Sequence, residues 1–157
     1  MKKVILMGFL MTILVFTTNM AVAVAQDGDK PDLIVTELIV QKETAPGMKI
    51  LITDVVRNIG THEAGASINR YYLKPQDSSC TPILLGRRYV SELDAGDANI
   101  GTTYLAIPSK EKLLEKGCPV PGDYYIIAVA DAFNYVKEAK ESNNKRKSPI
   151  HIVDLTP

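Results

Sequence analysis

The chain has 157 residues, 46% of them hydrophobic, with 18 basic and 18 acidic side chains and no tryptophan. A formal net charge of zero argues against a nucleic-acid binder, which gathers Lys and Arg against phosphates; Lys145-Arg146-Lys147 is the one basic run and is too short for that role. The size suits a single domain able to bury an adequate core.

In chain order, the first pattern is a leader. Lys2 and Lys3 precede an apolar run over 4–16, and the small residues Ala21, Ala23 and Ala25 fit the small-x-small cleavage pattern of a signal peptide. Thr17, Thr18 and Asn19 end the run short of the roughly 20 residues a membrane span needs. An uncleaved N-terminal anchor is the alternative. No cysteine follows the run, which argues against lipoprotein attachment. The expected organisation is a signal peptide over 1–25, a polar linker over 26–30 and one domain over 31–157. Cleavage after Ala25 removes Lys2 and Lys3 but no acid, so 16 basic residues then face 18 acidic ones, a balance of −2.

Export to an oxidising compartment makes the two remaining cysteines, Cys80 and Cys118, read as a disulfide. Such a bridge stabilises by about 4 kcal/mol in the chain-entropy model. A redox pair or a metal site is the alternative. Against it, there is no Cys-x-x-Cys, and His62 and His151 lie far from both cysteines in sequence.

The body of the chain reads as strands. Runs rich in Ile, Val, Thr and Tyr occupy 33–40, 48–56, 68–73, 83–90, 100–107, 124–130 and 150–153, separated by turn residues such as Pro46-Gly47 and Asp94-Ala95-Gly96. The run over 124–130 is apolar on both faces, as expected of a central strand. Seven strands at this spacing predict an all-β sandwich. One segment departs from the pattern: Ser109 at an N-cap position, Lys and Glu-rich residues to Lys116, and Gly117 as a stop predict a short helix crossing between the sheets. Asp54 shares strand parity with Ile50, Ile52 and Val56, so either a bulge turns it outward or it is buried with a partner.

Two stretches carry chemistry worth weighing. In "VRNIGTHEAG", Asn58 and Gly60 suit a left-handed turn after a strand, and the Asn58 amide can bond loop backbone. A binding loop of Asn58, His62 and Glu63 is the alternative. In "DAFNYVKEAKESNN", the oxygen-rich residues Asp131, Asn134, Glu138 and Asn143 are calcium candidates, since calcium takes about six to eight oxygen ligands. An EF-hand is excluded: Phe133 occupies the third position and Val136 the sixth, where glycine is needed. The structural alternative makes Glu138, Asn143 and Asn144 turn residues that satisfy backbone groups, with Phe133 or Tyr135 covering the end of the core. Catalysis finds little material. No Gly-x-Ser-x-Gly or His-Glu-x-x-His accompanies the two histidines, and a hydrolase would have to rely on Glu138 and Glu141.

The segments "PDLIVTELIV", "PGMKILITDVVRNIGTHEAG", "LGRRYVSELDAGD" and "GDYYIIAVADAFNYVKEAKESNN", in that order, resemble a CARDB domain, the cell-adhesion-related module of bacterial and archaeal surface proteins. The resemblance covers about 31–153. Its most specific parts are Asn58-Ile59-Gly60 and the closing stretch from Glu138 to Asn144. It implies a seven-stranded immunoglobulin- or fibronectin-III-like sandwich without enzymatic activity. The segment between Pro108 and Gly122, with its helix and Cys118, departs from the family's short connection and is this chain's most individual surface. The resulting expectation is a secreted, noncatalytic adhesion or interaction module. Its partner is an extracellular or cell-surface protein or glycan, with no nucleic acid and no membrane after signal cleavage. No cofactor is expected unless calcium binds, and free edge strands allow a homodimer.

Overall fold

Alternation of buried and exposed side chains runs through most of the long strands, and it sorts them into two sheets. In the computed structural model, which describes residues 29–77 and 80–155, the elements are β1 (Leu33–Ile39), β2 (Glu43–Thr44), β3 (Lys49–Asn58), β4 (Ser67–Pro75), β5 (Ile83–Val90), β6 (Ala98–Ala106), α1 (Lys110–Glu115), β7 (Gly122–Val129) and β8 (Lys145–Ile152). The expected signal peptide and residues 26–28 of the expected linker lie outside the described residues. One sheet has the order β1-β3-β6 and the other β2-β8-β7-β4-β5. Ile50, Ile52 and Val56 of β3 are buried with Tyr71, Leu73, Tyr124, Ile126, Ile150 and Ile152 of the larger sheet. Each such aliphatic side chain contributes about 1.5–3 kcal/mol when fully buried.

The sandwich expected from the alternating runs is therefore present, with eight strands among the described residues rather than seven. The extra strand, β2, has two residues, too few to show any periodicity; it pairs in parallel with the end of β8, Glu43 opposite His151 and Thr44 opposite Ile152. The last strand also begins earlier than its apolar run. Lys145, Arg146 and Lys147 stand opposite Val129, Ala128 and Ile127, so backbone pairing to β7 extends through a basic segment. β7 lies between β8 and β4, the central place expected for a strand apolar on both faces.

The helix forms where Ser109 can cap it: its hydroxyl accepts from the Lys112 N–H at 3.4 Å, and Leu113 is buried against the core. Gly117, at φ +70°, ends it and donates its N–H to Leu114 O. The next residue, Cys118, is bonded to Cys80 with Cα atoms 5.2 Å apart, so the crossover from one sheet to the other is fastened to the loop after β4.

Candidate functional site: a cationic, aromatic sheet face and the loops that frame it

The loop after β3 is organised by one buried side chain. Asn58 Oδ1 accepts from the Asp32 N–H at 3.1 Å and the Gly60 N–H at 3.0 Å. Its Nδ2 donates to His62 O at 2.7 Å and Leu93 O at 3.0 Å. Asn58 thus bonds loop backbone, as its residue type suggests, and its amide has no capacity left for a ligand. The binding-loop trio does not come together, since His62 and Glu63 are exposed while Asn58 is fully buried. The expected left-handed conformation is also absent from Asn58 and Gly60; the non-glycine residues with positive φ are Asp131, at 37°, and Asn134, at 53°. Gly60 is required for a different reason. A Cβ there would lie 2.3 Å from Lys30 O and 2.6 Å from Asp32 N, both backbone atoms that cannot swing aside. Gly60→Ala is expected to lower the unfolding free energy by roughly 1–3 kcal/mol, measured by urea denaturation; an unchanged midpoint would mean that β1 shifts freely.

The loop from Asp131 to Asn144 makes a second set of internal bonds. The Asp131 carboxylate accepts from the N–H groups of Tyr135 (3.1 Å) and Val136 (2.8 Å). Glu138 is only 5% exposed and accepts from the Leu33 N–H at 2.6 Å and Asn144 Nδ2 at 2.7 Å. Asn143 donates from Nδ2 to both oxygens of Asp32, at 2.9 and 3.2 Å. Asn143 and Asn144 therefore meet side-chain carboxylates rather than the turn backbone, and the capping role falls to Asp131. Phe133 and Tyr135 are exposed, and it is Val136 that enters the core. Of the four calcium candidates, Asp131, Glu138 and Asn143 are engaged in these bonds. Asn134 stands at the rim of a groove instead. Among the described residues no three His, Cys, Asp or Glu side chains gather as a metal site.

Burial pushes the Glu138 carboxyl up to about 7, against the lowering effect of its two hydrogen bonds; the charges of Glu141 and Asp131 add to the rise. From an ordinary value of 4.5 to about 7 the native state holds the extra proton, so the contribution of this carboxyl to stability is fully present below pH 4.5 and is lost as pH rises through 7. A half-turn of the Asn144 amide would bring its buried, unpaired Oδ1 onto the protonated carboxyl. Glu138→Gln is expected to flatten this decline, worth roughly 1–2 kcal/mol after allowance for solvent screening. Denaturant titrations of both proteins between these pH values would read it, and parallel curves would reject the assignment.

Asp54 is buried with partners, the second of its two expected outcomes. Its carboxylate accepts from Asn69 Nδ2 at 2.9 Å, Tyr71 OH at 2.8 Å, and Arg88 Nε and NH2 at 3.1 and 2.8 Å. The guanidinium also donates to Asn99 Oδ1 at 2.6 Å and lies over Gly101, where a Cβ would come within 2.4 Å of its central carbon. Burial and Asp54 push the Tyr71 hydroxyl up to about 12, keeping it a donor. Burial opposes the Arg88 charge, but the hydrogen bond and charge of Asp54 outweigh it and raise its pKa.

The exposed counterpart of this interior is the outer face of the five-stranded sheet. Tyr71, Leu73, Tyr124 and Ile126 point inward and are fully buried, so their neighbours Arg70, Tyr72, Lys74 and Tyr125 point outward. Cross-strand register aligns Arg87, Arg70, Val129 and Lys145 in one row, and Leu84, Tyr72, Ile127 and Lys147 in the next. Lys147 Nζ lies 4.3 Å from the Tyr125 ring centroid, and the Arg70 guanidinium lies 3.8 Å from that of Phe133, which stacks on Tyr135. A groove of about 440 Å³ opens at the end of these rows, with Tyr72, Ile127 and Val129 in its floor and Asn134, Asn144 and Lys145 at its sides. Tyr72 and Tyr125 were legible only as strand residues, because which of the adjacent tyrosines faces outward depends on register.

Two packed sheets joined by a helical crossover define an immunoglobulin-like sandwich. The chain belongs to the CARDB family, a noncatalytic domain family whose model matches residues 30–148. A CARDB domain from Pyrococcus furiosus, solved in complex with di-metal ions, is 22% identical and superposes with a TM-score of 0.58, covering 80% of this chain and 96% of that one. The same domain in solution gives a TM-score of 0.58 at 21% identity, with 80% of this chain and 97% of that chain covered. A β-glucosidase from Erythrobacter marinus matches at TM-score 0.51 and 16% identity, with 78% of this chain aligned to 16% of the enzyme. These likenesses bear on the fold alone. No curated protein matches the chain.

Proposed function

We propose that the protein is a secreted, noncatalytic interaction module that holds an extracellular or cell-surface protein or glycan on the outer face of its five-stranded sheet. The observation that carries this reading is the population of that face by half-exposed Tyr72 and Tyr125, exposed Phe133 and cationic side chains, where one side of an antiparallel sheet needs only polar residues to meet water. Export is supported by the leader pattern over 1–25 and by the Cys80–Cys118 bridge, which an oxidising compartment preserves. Among the described residues no helix is long and apolar enough to cross a membrane. Beads coated with residues 26–157 are expected to be retained on native cell surfaces, and Tyr72→Ser with Tyr125→Ser to reduce retention. Equal retention of the two proteins rejects the face as the binding surface.

Calcium binding is the second reading. It is favoured by the closeness of Asp131 and Glu141 to Glu138, felt in the raised Glu138 pKa, and by the metal ions in the Pyrococcus furiosus relative. Against it stand the N–H donors already directed at the Asp131 and Glu138 oxygens. Calorimetric titration with calcium decides: the absence of both heat and a rise in melting temperature eliminates the idea. Association of two copies along the free edge of β6, beside exposed Ile100 and Tyr104, is read by sedimentation velocity at two concentrations.

A further inference from the structure

We infer that the ligand of this face is an acidic polysaccharide, a polymer presenting carboxylates at intervals and flat apolar sugar faces between them; the inference rests on the outer sheet face being the binding surface. Its first support is charge that the fold leaves uncompensated. Arg70 and Arg87 stand directly opposite on β4 and β5, a like-charge juxtaposition that destabilises a sheet. Lys145 extends the same row on β8, and Lys74 and Lys147 flank it on the next rows. None of these five cations is in an ion pair among the described residues, whereas Arg88, Lys110 and His151 each have a carboxylate. The strand acids on this face lie at its far end, where Asp123 is bonded to His151 at 2.7 Å and Glu43 of β2 stands opposite His151. The zero net charge of the chain conceals five cations gathered on this face, with Glu141 at the groove and Glu43 at the far end as exposed acids.

The second support is the arrangement of apolar surface between the charges. Tyr72 beside Ile127 forms a platform bordered by Lys147, and Tyr125 beside Pro149, with Lys147 over its ring, continues it toward Lys74. The face of a sugar ring, lined with C–H groups, packs on such rings, while its carboxylate reaches the flanking cation. The groove beyond them adds the exposed Asn134 amide for hydroxyls. With strands about 4.8 Å apart, the cations from β5 to β8 spread over roughly 14 Å, a span that a polymer fills and a single small anion does not. A peptide binding by strand addition would use a sheet edge and its backbone groups. On this sheet the cations occupy the face of the inner strands β4 and β8 as well as edge strand β5.

The test uses residues 26–157 with four immobilised polymers: polygalacturonate, dextran, polyglutamate and single-stranded DNA. Expected is selective retention on polygalacturonate that weakens as salt is raised. Arg87→Ser with Lys145→Ser, two exposed positions, is expected to reduce affinity roughly tenfold or more without lowering the melting temperature, because it relieves the Arg70–Arg87 repulsion. Equal binding to dextran, tighter binding to polyglutamate or DNA, or full affinity of the double variant overturns the inference. Absent polygalacturonate binding also overturns it, and the cell-retention assay then separates the two levels. Retention that still depends on Tyr72 and Tyr125 keeps the face and discards the polysaccharide; retention independent of both discards the face too.

Discussion

Alanine at Asp54 is expected to lower the unfolding free energy by about 3–5 kcal/mol, a greater loss than Gly60→Ala should produce. The cost does not come from losing one ion pair. Arg88 would keep Asn99 and the Tyr89 carbonyl as partners, but its charge would remain between the sheets without a counter-ion. Asn69 Nδ2 and Tyr71 OH would lose their acceptor in the same step, each a buried donor whose desolvation is then uncompensated. Replacing both charges, as in Asp54→Leu with Arg88→Met, should recover much of the loss, because the penalty belongs to the unpaired charge rather than to the absence of the pair. Urea unfolding of the single and double variants measures this. A single variant within about 1 kcal/mol of the parent would show that water reaches the guanidinium and relieves it.

Removing the bridge ranks with it. Cys80→Ala with Cys118→Ala is expected to cost about 4 kcal/mol, from the loop entropy released when residues separated by 38 positions are no longer joined in the unfolded chain. Both sulfurs are buried, so the variant also loses contacts around the crossover where Leu113 is packed. A reductant should bring the melting temperature of the parent down toward that of the variant and leave the variant unmoved. If the two proteins melt together under oxidising conditions, packing of Leu113 and the Tyr124 OH bond to Pro119 O hold the crossover without help.

Much of this architecture was legible because its causes are local. Alternation predicted the long strands, Ser109 and Gly117 bracketed the helix, and Asp54 announced itself by standing on the buried parity. What stayed hidden depends on residues far apart in sequence. Asn58 acts on backbone 26 to 36 residues away, and Glu138 holds an N–H 105 residues distant. No spacing within "VRNIGTHEAG" or "DAFNYVKEAKESNN" could disclose those partners. The resemblance to a family identified both stretches as special without saying what they touch. The cationic face was hidden differently: its members lie on four strands, and only the register of β4 with β5 and β7 sets Arg70 beside Arg87 and Val129.

The attachment of the chain's entry has a mechanical meaning. Lys30 O accepts from Thr61 N, Asp32 O from Ile59 N, Pro31 O from Ala139 N, and the Leu33 N–H is held by Glu138, so β1 is gripped at its start from both sheets. The exit is fastened at the opposite pole, where Val153 N bonds Thr44 O and Asp154 pairs with Lys110. A pull between these two points runs along the strands. The β1–β3 ladder is then loaded in shear, with its hydrogen bonds sharing the force instead of opening one after another. A surface module under tension would yield late by this route, and the entry clamp around Asn58 and Glu138 would be the first part to feel the load.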